Sequence, residues 1–78
     1  MTKFNLKEYR IQSTGADGGH NYIIAEVIHN NVTRRLVVMF RDKSDEKKLS
    51  NGVNISVEGN LHDEDIKQDL TLLDARLI

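Results

Sequence analysis

The stretch Gly52-Val53-Asn54-Ile55-Ser56-Val57-Glu58-Gly59-Asn60-Leu61, with Leu70-Thr71-Leu72-Leu73-Asp74-Ala75-Arg76-Leu77-Ile78 behind it, decides the fold. Val53, Ile55, Val57 and Leu61 alternate with Asn54, Ser56, Glu58 and Asn60, the period of two of a half-buried strand. Gly59 falls where the next apolar side chain is due. A glycine there marks a bulge, a sharp bend or a close backbone approach. Residues 70–78 form a second apolar strand, and 62–69 is short enough to join the two as a hairpin. A strand that bends and then hairpins into a closing strand is what a small barrel needs.

Upstream, 21–29 and 32–40 read as two strands joined by Asn30-Asn31. Asparagine tolerates positive φ, so the pair suits a two-residue hairpin turn. With His29 opposite Val32, Val27 faces Arg34, Glu26 faces Arg35, Ala25 faces Leu36 and Ile23 faces Val38. One face then carries Ile23, Ala25, Val27, Leu36, Val38 and Phe40, the expected core. The other carries Tyr22, Ile24, Glu26, Ile28, Arg35, Val37 and Met39, with a possible cross-strand Glu26–Arg35 pair.

Residues 3–12 supply a first strand. Phe4 and Leu6 share one parity, Tyr9 and Ile11 the other, so a bulge is expected near Lys7-Glu8. Residues 13–20 hold three glycines in five positions and read as a hairpin loop. They lack the lysine and following helix of a phosphate-binding P-loop. In 41–51, Ser44 is a candidate cap, Asp45 and Glu46 occupy a first helical turn, Lys47 and Lys48 lie near its end, and Gly52 stands beyond. This predicts about two helical turns at most, mostly solvated, with Leu49 as the buried anchor.

The 78 residues are expected to form one domain, 1–78. There is no cysteine, hence no disulfide or thiolate metal site. No apolar run approaches the length of a membrane span, and the opening residues do not make a signal sequence, so the protein reads as cytoplasmic and complete. Eleven basic and 12 acidic residues leave a net charge of −1, whereas nucleic-acid binders are usually basic.

Three strands, a short helix and two strands, carried by Leu36-Val37-Val38-Met39-Phe40, by Gly-x-x-Ile-x-Val-Glu-Gly-x-Leu at 52–61 and by Leu-x-Leu-x-Asp-Ala at 70–75, resemble the oligonucleotide/oligosaccharide-binding (OB) fold. The subgroup they are most similar to comprises small tRNA-anticodon-like and single-strand-binding domains. The resemblance covers nearly the whole sequence. It implies an all-β, five-stranded Greek-key barrel with a helix or helical turn between strands three and four. It also implies a single-stranded nucleic-acid partner lying across strands two and three. By position, Tyr22, Ile24, Val37 and Met39 would form the platform, Arg34, Arg35 and Arg41 would meet phosphates, and His20 with Asn21 would edge the site. Against this stands the acidic loop His62-Asp63-Glu64-Asp65-Ile66-Lys67 at the place where phosphate would approach. Ordinary packing at the barrel edge accounts equally well for Tyr22 and Met39.

A second function class uses the same face, or an exposed strand edge, to meet a protein partner or another copy of the protein. His62-Asp63-Glu64-Asp65 has oxygen and imidazole ligand types but lacks calcium-loop spacing and its glycine, so no metal and no cofactor are expected. His20, His29 and His62 fall on separate loops and strand ends and assemble no nucleophile, base and oxyanion donor; a non-enzyme is expected.

Overall fold

A computed structural model describes residues 1–14, 20–63 and 69–78. The protein forms one mixed antiparallel and parallel sheet with a short helix. In order these are β1 (Thr2–Leu6), β2 (Tyr9–Thr14), β3 (His20–His29), β4 (Val32–Phe40), α1 (Lys43–Glu46), β5 (Ile55–Asp63) and β6 (Asp69–Leu77). The sheet order is β1-β5-β6-β4-β3-β2. β1 and β2 lie at opposite ends of that order, yet Lys7 and Glu8 alone separate them in sequence. The two ends must therefore approach each other, and the sheet curls into a half-barrel.

Among the described residues, the expected five strands are six. The parity change near Lys7-Glu8 is a full break, not a bulge within one strand. β1 pairs with β5 (Phe4 opposite Val57, Leu6 opposite Ile55), whereas β2 pairs with β3 (Tyr9 opposite Ala25, Ile11 opposite Ile23). One continuous strand would have to reach both ends of the sheet. Breaking it lets Phe4 and Leu6 turn inward in the first half, and Tyr9 and Ile11 in the second.

The β3–β4 hairpin has the register expected from the sequence. His29 faces Val32, Glu26 faces Arg35, Ala25 faces Leu36 and Ile23 faces Val38. The turn residues Asn30 and Asn31 have φ of 52° and 65°, the left-handed pair that a two-residue turn requires. Ile23, Ala25, Leu36 and Val38 are buried, as are Leu6, Val57, Leu70, Leu72 and Ala75; Val27 and Phe40 are partly buried against them.

β6 carries the irregularity that shapes the half-barrel. Against β5, the pairing steps from Glu58–Arg76 to Asn60–Leu73; against β4, it steps from Val38–Leu72 to Phe40–Ala75. In both cases β6 contains the extra residue. Asp74 has φ of 51°, a left-handed conformation that aspartate adopts more readily than most side chains. The bulge flips the parity, so Leu70 and Leu72 before it and Ala75 after it all face the core. Gly59 lies against this bulge. A Cβ there would stand 2.7 Å from the Leu73 carbonyl oxygen and 3.0 Å from the Ala75 Cα. Of the three meanings that a strand glycine can have, close backbone approach is the one realised.

The connection between β4 and β5 holds a helix of a single turn of four residues, within the two turns expected, and departs from expectation at its N-cap, at Glu46 and at Val53. The N-cap residue is Asp42 in place of Ser44. The Asp42 carboxylate makes no capping hydrogen bond. Glu46, expected on a solvated face, is buried with 4% exposure. Its Oε1 accepts from the Asn21 N–H at 2.5 Å, and its Oε2 lies 3.4 Å from His20 Nδ1. Leu49 does pack against the core. Val53 is excluded from β5 and half exposed, since the strand starts at Ile55.

Candidate functional site

The two halves of the sheet's outer surface differ in chemistry. Outside β1, β5 and β6, the side chains are mostly polar, with Leu73 of β6 as an exposed apolar exception. Ser56 Oγ donates to Asn5 Oδ1 at 2.5 Å, and Arg76 reaches Glu58 at 2.9 Å. The Arg76 hydrogen bond holds the Glu58 carboxyl below its ordinary range. Outside β3 and β4, Tyr22 stands opposite Met39 and Ile24 opposite Val37. These four residues form a partly exposed apolar strip, with Met39 37% exposed. Strands rich in β-branched residues favour this pleated surface on both faces, which is why β4 carries Val37 as readily as Val38.

β2 and β6 widen the strip. Arg10 pairs with Ile24 and Gln12 with Tyr22 along the β2 side, while Thr71 pairs with Val37 along the β6 side. Arg10 and Gln12 were legible in principle: once Tyr9 and Ile11 face inward, their neighbours must face out. A shallow cleft of about 290 Å³ runs beside the strip, lined by Tyr9, Arg10, Ile24, Glu26 and Arg35 among others.

The arginines are differently engaged from the sequence expectation. Arg35 faces Glu26 in the hairpin register, but its guanidinium forks onto Asp69 of β6, with Nε at 3.0 Å and Nη2 at 2.7 Å. The bidentate geometry outcompetes a cross-strand Glu26 contact because both donors are satisfied at once. The same bond raises the pKa of Arg35 above its ordinary value. Arg34, of opposite parity, donates to Asp63 at 2.8 Å and is largely covered. That bond draws the Asp63 carboxyl below its ordinary range. Two residues flanking the acidic β5–β6 connection thus take up the two adjacent arginines. Glu64, Asp65, Ile66 and Lys67 lie outside the described residues, and so does most of the glycine loop.

The remaining positions form the rim. His20 opens β3 and is exposed; Asn21 follows, its Oδ1 accepting from Ser13 Oγ at 2.8 Å. Glu46 anchors both from below, a contact that the charge run in 41–51 concealed. Arg41 is exposed just past β4, where its backbone N–H donates to the Ala75 carbonyl at 2.9 Å. Tyr22, Ile24, Val37 and Met39 are therefore brought together, Arg35 joins their face, and Arg34 points to its other side.

No helix among the described residues is long and apolar enough to cross a membrane. Comparisons with protein families, with curated proteins and with solved structures gave no match.

Proposed function

We propose that this protein is an OB-type module that binds single-stranded nucleic acid across the outer face of β3 and β4. The observation that carries the reading is the adjacency of Tyr22–Met39 and Ile24–Val37, which clusters four apolar side chains on an outer surface whose other half is mostly polar. Support for the OB plan comes from the strand count: six strands become five when β1 and β2 are taken as one broken strand. The helical turn then falls between the third and fourth. Bases would stack on Tyr22 and lie over Ile24, Val37 and Met39. Stacking of this kind tolerates any base, because every base has a π-face. Arg10 and Arg41 are the cations at the strip's margins, and Arg35 would contribute by exchanging Asp69 for a phosphate.

A second reading is favoured by the Arg35–Asp69 and Arg34–Asp63 pairs. With these arginines already neutralised, the strip is apolar with little net field, a surface suited to a protein partner. A salt titration with labelled single-stranded DNA and RNA separates the readings. Nucleic-acid binding gives an affinity that falls steeply with salt and weakens by roughly 1–3 kcal/mol in Tyr22→Ala. If no oligonucleotide binds at low salt, while Ile24→Asp abolishes a protein complex or changes the oligomeric state, the protein reading stands instead.

A further inference from the structure

The connection between α1 and β5 contains the dipeptide Asn51-Gly52 in a turn, both residues exposed. Gly52 has φ of 81°, and nothing lies within 4 Å of where its Cβ would be. Its backbone N–H takes part in none of the turn and loop hydrogen bonds between backbone groups among the described residues. On either side, the carbonyl oxygens of Ser50 and Val53 both accept from the Tyr9 hydroxyl, at 2.5 and 2.7 Å. One phenolic proton serves two carbonyls that bracket an unhindered Asn-Gly pair.

We propose that Asn51 is a site of spontaneous deamidation and backbone isomerisation, and that Tyr9 transmits the change to β2. The Gly52 nitrogen attacks Cγ, the amide carbon of the Asn51 side group, and forms a new N–C bond. The bond between Cγ and Nδ2 breaks, and Nδ2 leaves as ammonia, taking the Gly52 proton. The resulting succinimide is opened by water. Opening at Cγ gives aspartate. Opening at the backbone carbonyl gives isoaspartate, with the backbone now routed through Cβ. No oxidant or co-reactant besides water is required.

Glycine favours the first step because it lacks a Cβ to obstruct the attack and because its backbone moves freely. Other asparagines lack that combination. Asn5, Asn21, Asn54 and Asn60 precede leucine, tyrosine, isoleucine and leucine, and Asn30 and Asn31 precede asparagine and valine. Isoaspartate inserts a methylene between Ser50 and Val53, and either product adds a negative charge. The two carbonyls can then no longer both meet the Tyr9 hydroxyl. Tyr9 begins β2 and lines the cleft beside Ile24 and Arg10, so the modification loosens an edge of the half-barrel next to the apolar strip.

The test is ageing of the purified folded protein at mildly alkaline pH and physiological temperature. Peptide mapping reads the mass gain of about 1 Da, and isoaspartyl methyltransferase labelling reads the isoaspartate. Conversion at Asn51 ahead of all other asparagines, at a rate within about tenfold of the protein unfolded in urea, is the expected result. It should be abolished in Asn51→Gln. Conversion at Asn51 in urea but not in the folded protein would overturn the proposal, as would faster conversion elsewhere. For the coupling, wild-type protein should lose thermal stability on ageing, while Tyr9→Phe, which has no latch to lose, should change much less. An equal loss in both would show that Tyr9 does not transmit the change.

Discussion

Arg35 and Asp69 are joined by two hydrogen bonds across the parallel β4–β6 pair, where their positions are directly in register. The fork does two opposing things. It supports the pairing of two strands distant in sequence, and it occupies the guanidinium that a phosphate would seek. Because the pair is exposed, its net contribution to stability is small. Its effect on a charged ligand is larger.

Asp69→Asn should therefore increase affinity for single-stranded oligonucleotides. The salt dependence should steepen by about one phosphate contact, roughly 0.7 in the logarithmic slope for a single strand. Arg35→Gln should not strengthen binding. Fluorescence anisotropy at several salt concentrations checks both, and an Asp69→Asn affinity equal to wild type would exclude Arg35 as a latent phosphate ligand.

Gly59→Ala places a methyl group 2.7 Å from the Leu73 carbonyl oxygen, a backbone atom that cannot swing away. We expect a loss of roughly 1–3 kcal/mol in urea unfolding, and a larger one for Gly59→Val. Gly52→Ala has no such neighbour, and strain at φ of 81° is its main cost. Comparing the two variants separates crowding from backbone strain.

At the β3–β4 turn, Asn31 adopts φ of 65° without the freedom of glycine. Asn31→Gly produces the Asn-Gly pair that two-residue hairpin turns prefer. Stability should stay within about 0.5 kcal/mol of wild type or rise, whereas Asn31→Val should lose about 1 kcal/mol or more. Thermal melts of the two variants suffice.

Acid should destabilise the fold through identifiable pairs. Arg34 holds the Asp63 carboxyl below its ordinary 3.8, and Arg76 holds Glu58 below its ordinary 4.5. Groups with depressed folded-state pKa values stabilise above the unfolded value, and that stability is lost as pH falls through the folded one. Urea midpoints should thus decline from about pH 5 downward. An Arg34→Gln/Arg76→Gln variant should decline less steeply. Parallel slopes would mean that other carboxylates carry the acid response.

The β3–β4 hairpin could be read from the sequence residue by residue, because alternation, the Asn30-Asn31 turn and two well-filled faces all specify the same register. Gly59 announced a constraint without revealing its source, since the crowding atoms belong to a bulge in another strand. The bulge itself was visible as Leu70 and Leu72 changing parity to Ala75 and Leu77, though an apolar Leu73 between them blurred the pattern. Arg35 offered two carboxylate partners. Sequence adjacency in the hairpin suggested Glu26, while the parallel strand that delivers Asp69 is a tertiary feature with no local signature. Glu46 was hidden for a related reason: in a run of charges, nothing local marks the one that caps a distant strand.

The position of β6 has a consequence for assembly. This strand, the last of the six in sequence, lies in the interior of the sheet; without it, β1–β5 and β4–β3–β2 would be separate fragments. The β3–β4 hairpin can form as soon as it is synthesised, but its core face is not closed until Leu70, Leu72 and Ala75 arrive. Folding therefore waits on contacts of long sequence separation, which places it in the slower millisecond-to-second range typical of such topologies. During that interval the edge of β4 that later binds β6 is an open template, and its Val-rich run is the segment through which a stalled or shortened polypeptide would aggregate.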